Sequence, residues 1–282
     1  MNTRIRSSGQ GKIMPDIYEA RADAGRALEV AATTSPFVIT VRFVGGLTPS
    51  QQEAFARAAD RWARLIVGDL PEVVVDGEVI DDVLILAEGA EIDGPGQILG
   101  EAGPTHVRVG GLPCKGIMRF DTADLRQMED EGTLLDVITH EMGHVLGIGT
   151  MWEEMGLLTG VGGTDPRFTG RVAMVQYGHL RPDEQPQAVP VENDGGPGSR
   201  DSHWRESVFR TELMTSRIGG VGNAISSLTA GSLIDIGYQV DLEAAEPYQL
   251  PVVVGPAAVG QEVHGRFERP KRVEVSPAEP VA

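Results

Sequence analysis

Apolar and polar residues alternate over residues 37–44 (FVITVRFV), the period of a half-buried strand, and Gly45-Gly46 breaks the run. From Thr48 the period changes to that of a helix. Thr48 is placed to cap it, Pro49 to occupy its first position and Gln51 to complete a capping box. Phe55, Ala58, Ala59, Trp62, Leu65 and Ile66 then recur at helical spacing to about residue 67, which predicts a helix laid on a sheet. Further strands are expected near 72–75, 82–87, 105–109 and 116–120, with the Asp/Gly-rich piece 88–103 as a loop. A short helix is expected over 121–128. A longer one starts at Gly132-Thr133, carries Asp136 in its first turn and ends at Gly147, read as a left-handed cap.

The flanks are less periodic. Residues 1–14 read as disordered and 15–32 as a loose, alanine-rich helix. From 147 to about 201 the chain is rich in Gly, Pro and polar residues, and so long an irregular stretch points to a functional insertion. Residues 226–236 form a last helix, followed by Gly237-Tyr238 and a short strand; from about Ala244 the chain is Pro- and Val-rich, an extended tail or linker. The expected organisation is an N-terminal extension (1–35), one domain (36–243, with insertion 148–202) and a tail (244–282).

Composition narrows the partners. The 282 residues carry a formal net charge of −17, which argues against nucleic acid or an anionic membrane, and at 41% hydrophobic they can bury a sizeable core. Cys114 is the single cysteine, so no intrachain disulfide forms; it is expected to be a structural or incidental thiol. No run of eighteen apolar residues predicts a membrane span, and the polar N-terminus lacks the apolar core of a secretory signal, which leaves localisation open.

The chemistry is concentrated in His140-Glu141-Met142-Gly143-His144-Val145-Leu146-Gly147, an HExxH motif with a glycine three residues on. On a helix His140 and His144 share one face a turn apart, so both imidazoles can reach one metal ion with Glu141 beside them. Leu134, Leu135, Val137, Ile138, Met142, Val145 and Leu146 already supply the apolar surface of that helix, so the histidines add a polar cluster that is costly to bury without partners. A catalytic zinc usually takes three protein ligands. Six residues after His144 stands Thr150, which cannot replace a third histidine, while His106, His179, His203 and His264 are the remaining histidines and Glu153, Glu154 and Glu184 the acidic alternatives.

At this point the chain resembles the leishmanolysin-like (peptidase family M8) metzincins, in the manner of a short bacterial-type relative. The likeness rests on HEMGHVLGIGTMW, a long insertion with 55 residues between Gly147 and His203, and then SHWRESVFRTELMT. It spans roughly 37–242. The resemblance implies an α+β fold: a metzincin-like zinc peptidase catalytic domain with a twisted mixed sheet, an active-site helix and a C-terminal subdomain with a Met-turn. It implies one catalytic Zn2+ held by His140, His144 and His203, Glu141 as general base towards a metal-activated water, and Met214 in the Met-turn. It implies a zinc metalloendopeptidase acting on protein or peptide substrates, in an extracellular setting. The chain departs from protozoan leishmanolysins in having one cysteine, no room for their large C-terminal domain and no clear pro-segment.

Rival readings are a non-catalytic metal-binding or interaction protein on the same scaffold, and a zinc hydrolase with an acidic third ligand. Retention of Glu141 counts against the first, since a structural site needs no general base. A monomer is expected. Ser216 stands where some metzincins place a metal-touching tyrosine, so that extra ligand is not expected here. An extended substrate would add to an exposed edge strand, placed near 105–109. His106 is read as structural, His179 and His264 as solvated. Asp93-Gly94 and Asn193-Asp194-Gly195-Gly196 lack EF-hand spacing, so calcium has no support in the sequence.

Overall fold

The computed structural model describes residues 3–5, 16–92, 94, 96, 100–196, 198–218, 220–251, 261–262 and 270–273; Asp93, His264 and most of the expected tail lie outside the described residues. In chain order the first half contains β1 (Thr3–Ile5), β2 (Ile17–Arg21), α1 (Ala24–Ala31), β3 (Val38–Gly45), α2 (Pro49–Leu65), β4 (Val73–Val75), β5 (Glu78–Ile80), β6 (Val83–Ala90), β7 (Gly100–Arg108), β8 (Pro113–Asp121), α3 (Thr122–Glu131) and α4 (Leu134–Val145). The second half contains β9 (Leu158–Thr159), β10 (Arg167–Phe168), α5 (Arg171–His179), β11 (Val189–Pro190), α6 (Glu206–Phe209), β12 (Arg217–Ile218), α7 (Ser227–Ile236), a 3₁₀ turn (Leu242–Ala244), β13 (Gln261–Glu262) and β14 (Lys271–Val273).

One mixed sheet, in the order β1-β2-β3-β6-β8-β7-β14, organises the first half. β3, β6 and β8 run parallel, while β2 and β7 pair antiparallel to their inner neighbours. α2 and α4 cover one face. Phe55 of α2 meets Phe43 and Phe120 edge-on, with ring centroids 6.1 and 5.8 Å apart, and this is the centre of the core. The other face is covered by the β4–β5 hairpin, through Val73, Val75, Ile80, Leu84 and the buried Cys114. α4 sits directly on β8. A Cβ on Gly116 would lie 2.4 Å from Val145 Cγ1, so only glycine admits this approach.

The α2 capping box forms as its residues predict: Gln51 N donates to Thr48 Oγ1 and Thr48 N donates to Gln51 Oε1. Elsewhere the structure corrects the pattern. The helix expected over 15–32 is a strand followed by a helix, because β2 completes the antiparallel edge beside β3 and Asp23 then caps α1 through Arg26 N. Part of 1–14, read as disordered, pairs with β2 as β1. The loop expected at 88–103 is shorter, since β6 runs on to Ala90 and β7 starts at Gly100; its backbone N–H groups at Ile92 and Gly94 donate to Asp121. Residues 148–202, expected as an insertion, hold a full helix, α5, packed on α7, with Asp235 of α7 accepting from Val172 N and Ala173 N. The strand expected near 105–109 is longer, and its outer edge at His106–Arg108 carries β14 in parallel. Among the described residues no helix is long and apolar enough to cross a membrane.

A candidate metal centre

α4 presents His140 and His144 one turn apart, both fully buried, as the HExxH spacing requires. Gly147 does more than end the helix. With φ at +105° it turns the chain into a Schellman arrangement, Ile148 N to the Gly143 carbonyl (3.0 Å) and Gly147 N to the His144 carbonyl (3.1 Å). That reversal sets the Ile148 carbonyl 2.9 Å from His144 Nδ1. Gly149, also left-handed, lets the end of the insertion return: a Cβ there would lie 2.0 Å from the Ser202 carbonyl oxygen. Thr150 donates to the His144 carbonyl at 2.8 Å.

The returning segment brings His203 into contact with the helix. His203 Nε2 lies 3.1 Å from His140 Nε2 and 3.0 Å from His144 Nε2, and the latter two are 3.0 Å apart. Each ring nitrogen on the far side faces a backbone carbonyl: His140 Nδ1 to Leu213 (2.7 Å), His144 Nδ1 to Ile148 (2.9 Å) and His203 Nδ1 to Ser199 (2.9 Å). A carbonyl only accepts, so each Nδ1 carries the proton and each Nε2 presents a bare lone pair. Three lone pairs converging at 3.0–3.1 Å repel one another unless a cation stands between them. Burial, then the neighbouring imidazoles, hold His140 down to about 3 and His144 well below the usual histidine range, so neither charges at neutral pH.

Glu141 is 2% exposed, and its Oε2 has no hydrogen-bond partner among the described residues. Burial pushes its carboxyl up to about 8. The donor set therefore fits a small divalent ion such as zinc. It consists of three neutral imidazoles, each oriented by a backbone carbonyl, next to a carboxylate atom with a free lone pair. Among the described residues, Glu153, Glu154 and Glu184 do not join this cluster, and Glu154 pairs with Arg272. His106 is half-buried on β7 beside Thr105, and His179 is exposed at the end of α5.

The floor of the site draws on Trp62, which helical spacing places on α2, and on residues after Gly147 that periodicity does not single out. A Cβ on Gly143 would lie 2.8 Å from Met214 Sδ and 3.0 Å from Trp62 Cζ2, so the motif helix rests directly on both. Trp62 Nε1 donates to the Thr139 carbonyl at 2.9 Å, fixing the helix one residue before His140. Glu192 accepts from Asn193 N, Asp194 N, Glu206 N and Ser216 Oγ while its own N–H donates to the His203 carbonyl. Trp204 is buried against Trp152, Phe168 and Phe209. Trp152, Trp204, Phe209 and Met214 stand in the segments that carried the family likeness, while Glu192 and Phe168 carry no such signal.

A family model described as leishmanolysin, Peptidase M8, matches residues 71–251. No curated protein is matched. The match starts at the β4–β5 hairpin, takes in α4 and all three histidines, and ends in the segment after the 3₁₀ turn. A mixed sheet with seven α-helices among the described residues fits a peptidase domain. On that match, the chain belongs to the leishmanolysin family of metallopeptidases.

Proposed function

We propose that the protein is a zinc-dependent endopeptidase, with His140, His144 and His203 holding one ion and Glu141 acting as general base. The observation that carries this reading is the convergence of three unprotonated Nε2 atoms, 3.0–3.1 Å apart, each imidazole held from behind by a carbonyl. Zinc held by these three imidazoles would supply Lewis acidity to a peptide carbonyl and to the attacking water. Glu141 takes the proton of the attacking water on its unpartnered Oε2 and returns it to the leaving amine. Met214 is read as the Met-turn residue: its sulfur fills the space against Gly143 and makes the floor rigid. Protein or peptide chains are the substrates. An extended segment can add to the outer edge of β7 over residues 100–105, where no strand is paired among the described residues.

Zinc content and casein cleavage of the wild type, Glu141→Ala and His203→Ala test the reading. Glu141→Ala is expected to keep stoichiometric zinc and to lose activity by about 100-fold or more. His203→Ala is expected to lose most of both. Full zinc in His203→Ala would overturn the ligand set, and activity surviving in Glu141→Ala would overturn the mechanism. A zinc-loaded wild type that cleaves no unfolded protein would favour a non-catalytic metal-binding module.

A further inference from the structure

Glu212 is 0% exposed, a carboxylate in the floor of the second half. Burying such a group is strongly unfavourable unless its lone pairs are used. They are used here by two separate segments, with a third linked through one of them. Oε2 accepts from Met214 N at 2.6 Å, inside the turn formed by residues 212–215. Oε1 accepts from Ser226 N (3.2 Å), Ser226 Oγ (2.7 Å) and Thr229 Oγ1 (2.5 Å), at the start of α7. Thr229 Oγ1 in turn accepts from Trp204 Nε1 at 2.8 Å, and Trp204 N donates to the Met214 carbonyl at 2.9 Å. The carboxylate is thus one bond from the turn, one bond from α7 and two bonds from the residue that follows His203.

The consequence lies in what that turn presents. Between Glu212 and Met214 stands Leu213, whose carbonyl receives His140 Nδ1 at 2.7 Å. An apolar side chain of the same volume would fill the space but leave Met214 N, Ser226 and Thr229 without that acceptor, and it would release the 213–214 peptide group, which carries both Met214 N and the Leu213 carbonyl. We propose that Glu212 is a positioning residue of the metal centre, holding the 212–215 turn so that the Leu213 carbonyl orients His140, and tethering Trp204 beside His203 through Thr229. This rests on the zinc reading of the three histidines. Groups that orient a metal-bound imidazole typically change affinity 10- to 100-fold when removed.

The test is metal binding rather than turnover. Zinc affinity by chelator competition, and the visible d–d spectrum of the cobalt(II)-loaded protein, are measured for the wild type, Glu212→Gln, Thr229→Val and Thr229→Ser. Phe43→Ala serves as a control for general destabilisation of the sheet. Glu212→Gln is expected to bind zinc about 10- to 100-fold more weakly with an altered cobalt spectrum. Thr229→Val should shift both in the same direction by less, Thr229→Ser should restore them, and Phe43→Ala should keep wild-type affinity. Wild-type affinity and spectrum in both Glu212→Gln and Thr229→Val would overturn the proposal. So would an equal loss of affinity in Phe43→Ala. If Glu212→Gln does not fold, the Thr229 pair decides: Val weak with Ser restored supports the proposal, and both like wild type overturns it. A wild type that binds neither zinc nor cobalt overturns the zinc reading itself, an outcome distinct from metal-replete protein indifferent to Glu212.

Discussion

From β2 to α4 the chain is held by apolar layers, with Phe43, Phe55, Phe120, Trp62 and the branched residues of the strands closing on one another across regular elements. Buried carboxylates also gather backbone N–H groups there, Asp82 at Val38 and Leu70 and Asp121 at Ile92 and Gly94, but after Gly147 such groups reach the segments around the histidines. An aromatic group of Trp152, Phe168, Trp204 and Phe209 is accompanied by carboxylates, Glu192 and Glu212 buried and Asp235 half-buried, that gather backbone N–H groups of irregular segments and of helix starts. Glu192, Glu212 and Asp235 each serve backbone donors that no helix or strand would satisfy. Regular elements pair their own backbone groups, so their residues are free to specialise in packing. Irregular ones cannot, and side chains must do that work. The three histidines lie on the seam, two from the regular half and one from the irregular half.

The sharpest way to break the comparison is to open a hole in the sheet half. Phe55→Ala is expected to cost about 3–5 kcal/mol in denaturant unfolding while folded protein keeps its zinc affinity; a smaller loss would mean the aromatic centre is not what holds that half. Glu192→Gln addresses the other half. Glu192 is 5% exposed and accepts four hydrogen bonds. The amide leaves buried donors unmet at a cost of about 1–3 kcal/mol. Amide exchange should locate that loss in residues 190–216 and leave β6 and β8 protected. Uniform loss of protection would show the halves to be one cooperative unit.

The smallest effect concerns a link between the halves. Arg26 of α1 grips Asp241, beyond α7, with Nε and Nη2 at 2.6 and 2.7 Å from its two carboxylate oxygens. The Arg26 hydrogen bonds hold the Asp241 carboxyl below its usual value of 3.8. A folded value below the unfolded one means that this stabilisation is present above about pH 4 and is lost as pH falls through the lower folded value. Arg26 is partly exposed, so solvent screens the pair and its contribution is small. Arg26→Gln should therefore lower stability slightly at pH 7 and narrow the gap to wild type at pH 3. A gap that persists at pH 3 would show that packing, not charge, is what Arg26 supplies.

How far the fold was legible follows the same division. Strand β3, helix α2 with its capping box, helix α4 and helix α7 were readable because their signals lie within a few residues of one another. β2 was misread as helix because its alanine-rich neighbourhood favours helix locally, and only pairing with β3 overrides that preference. α5 was missed because residues 171–179 show no clear apolar stripe; α5 exists by packing on α7 and by the Asp235 cap. Within the site, His140, Glu141 and His144 announce themselves by spacing. His203 carries no local metal signal and came to notice only through the likeness of its surroundings to a family.

The sequence by itself determined the helix that carries two imidazoles and a carboxylate, its end at Gly147, and the acidic, single-cysteine character of the chain. Only the tertiary structure decided what makes those imidazoles a site. His203 crosses 59 positions to stand 3.0 Å from His144, a path opened by Gly149 and clipped by Glu192. The carbonyls of Ile148, Ser199 and Leu213 make Nε2 the unprotonated nitrogen of each ring. A backbone carbonyl is common to every residue, so no side chain can announce which three will be used. That choice is made by how the chain turns, and the turns are set by close approaches and buried carboxylates that exist only once the two halves meet.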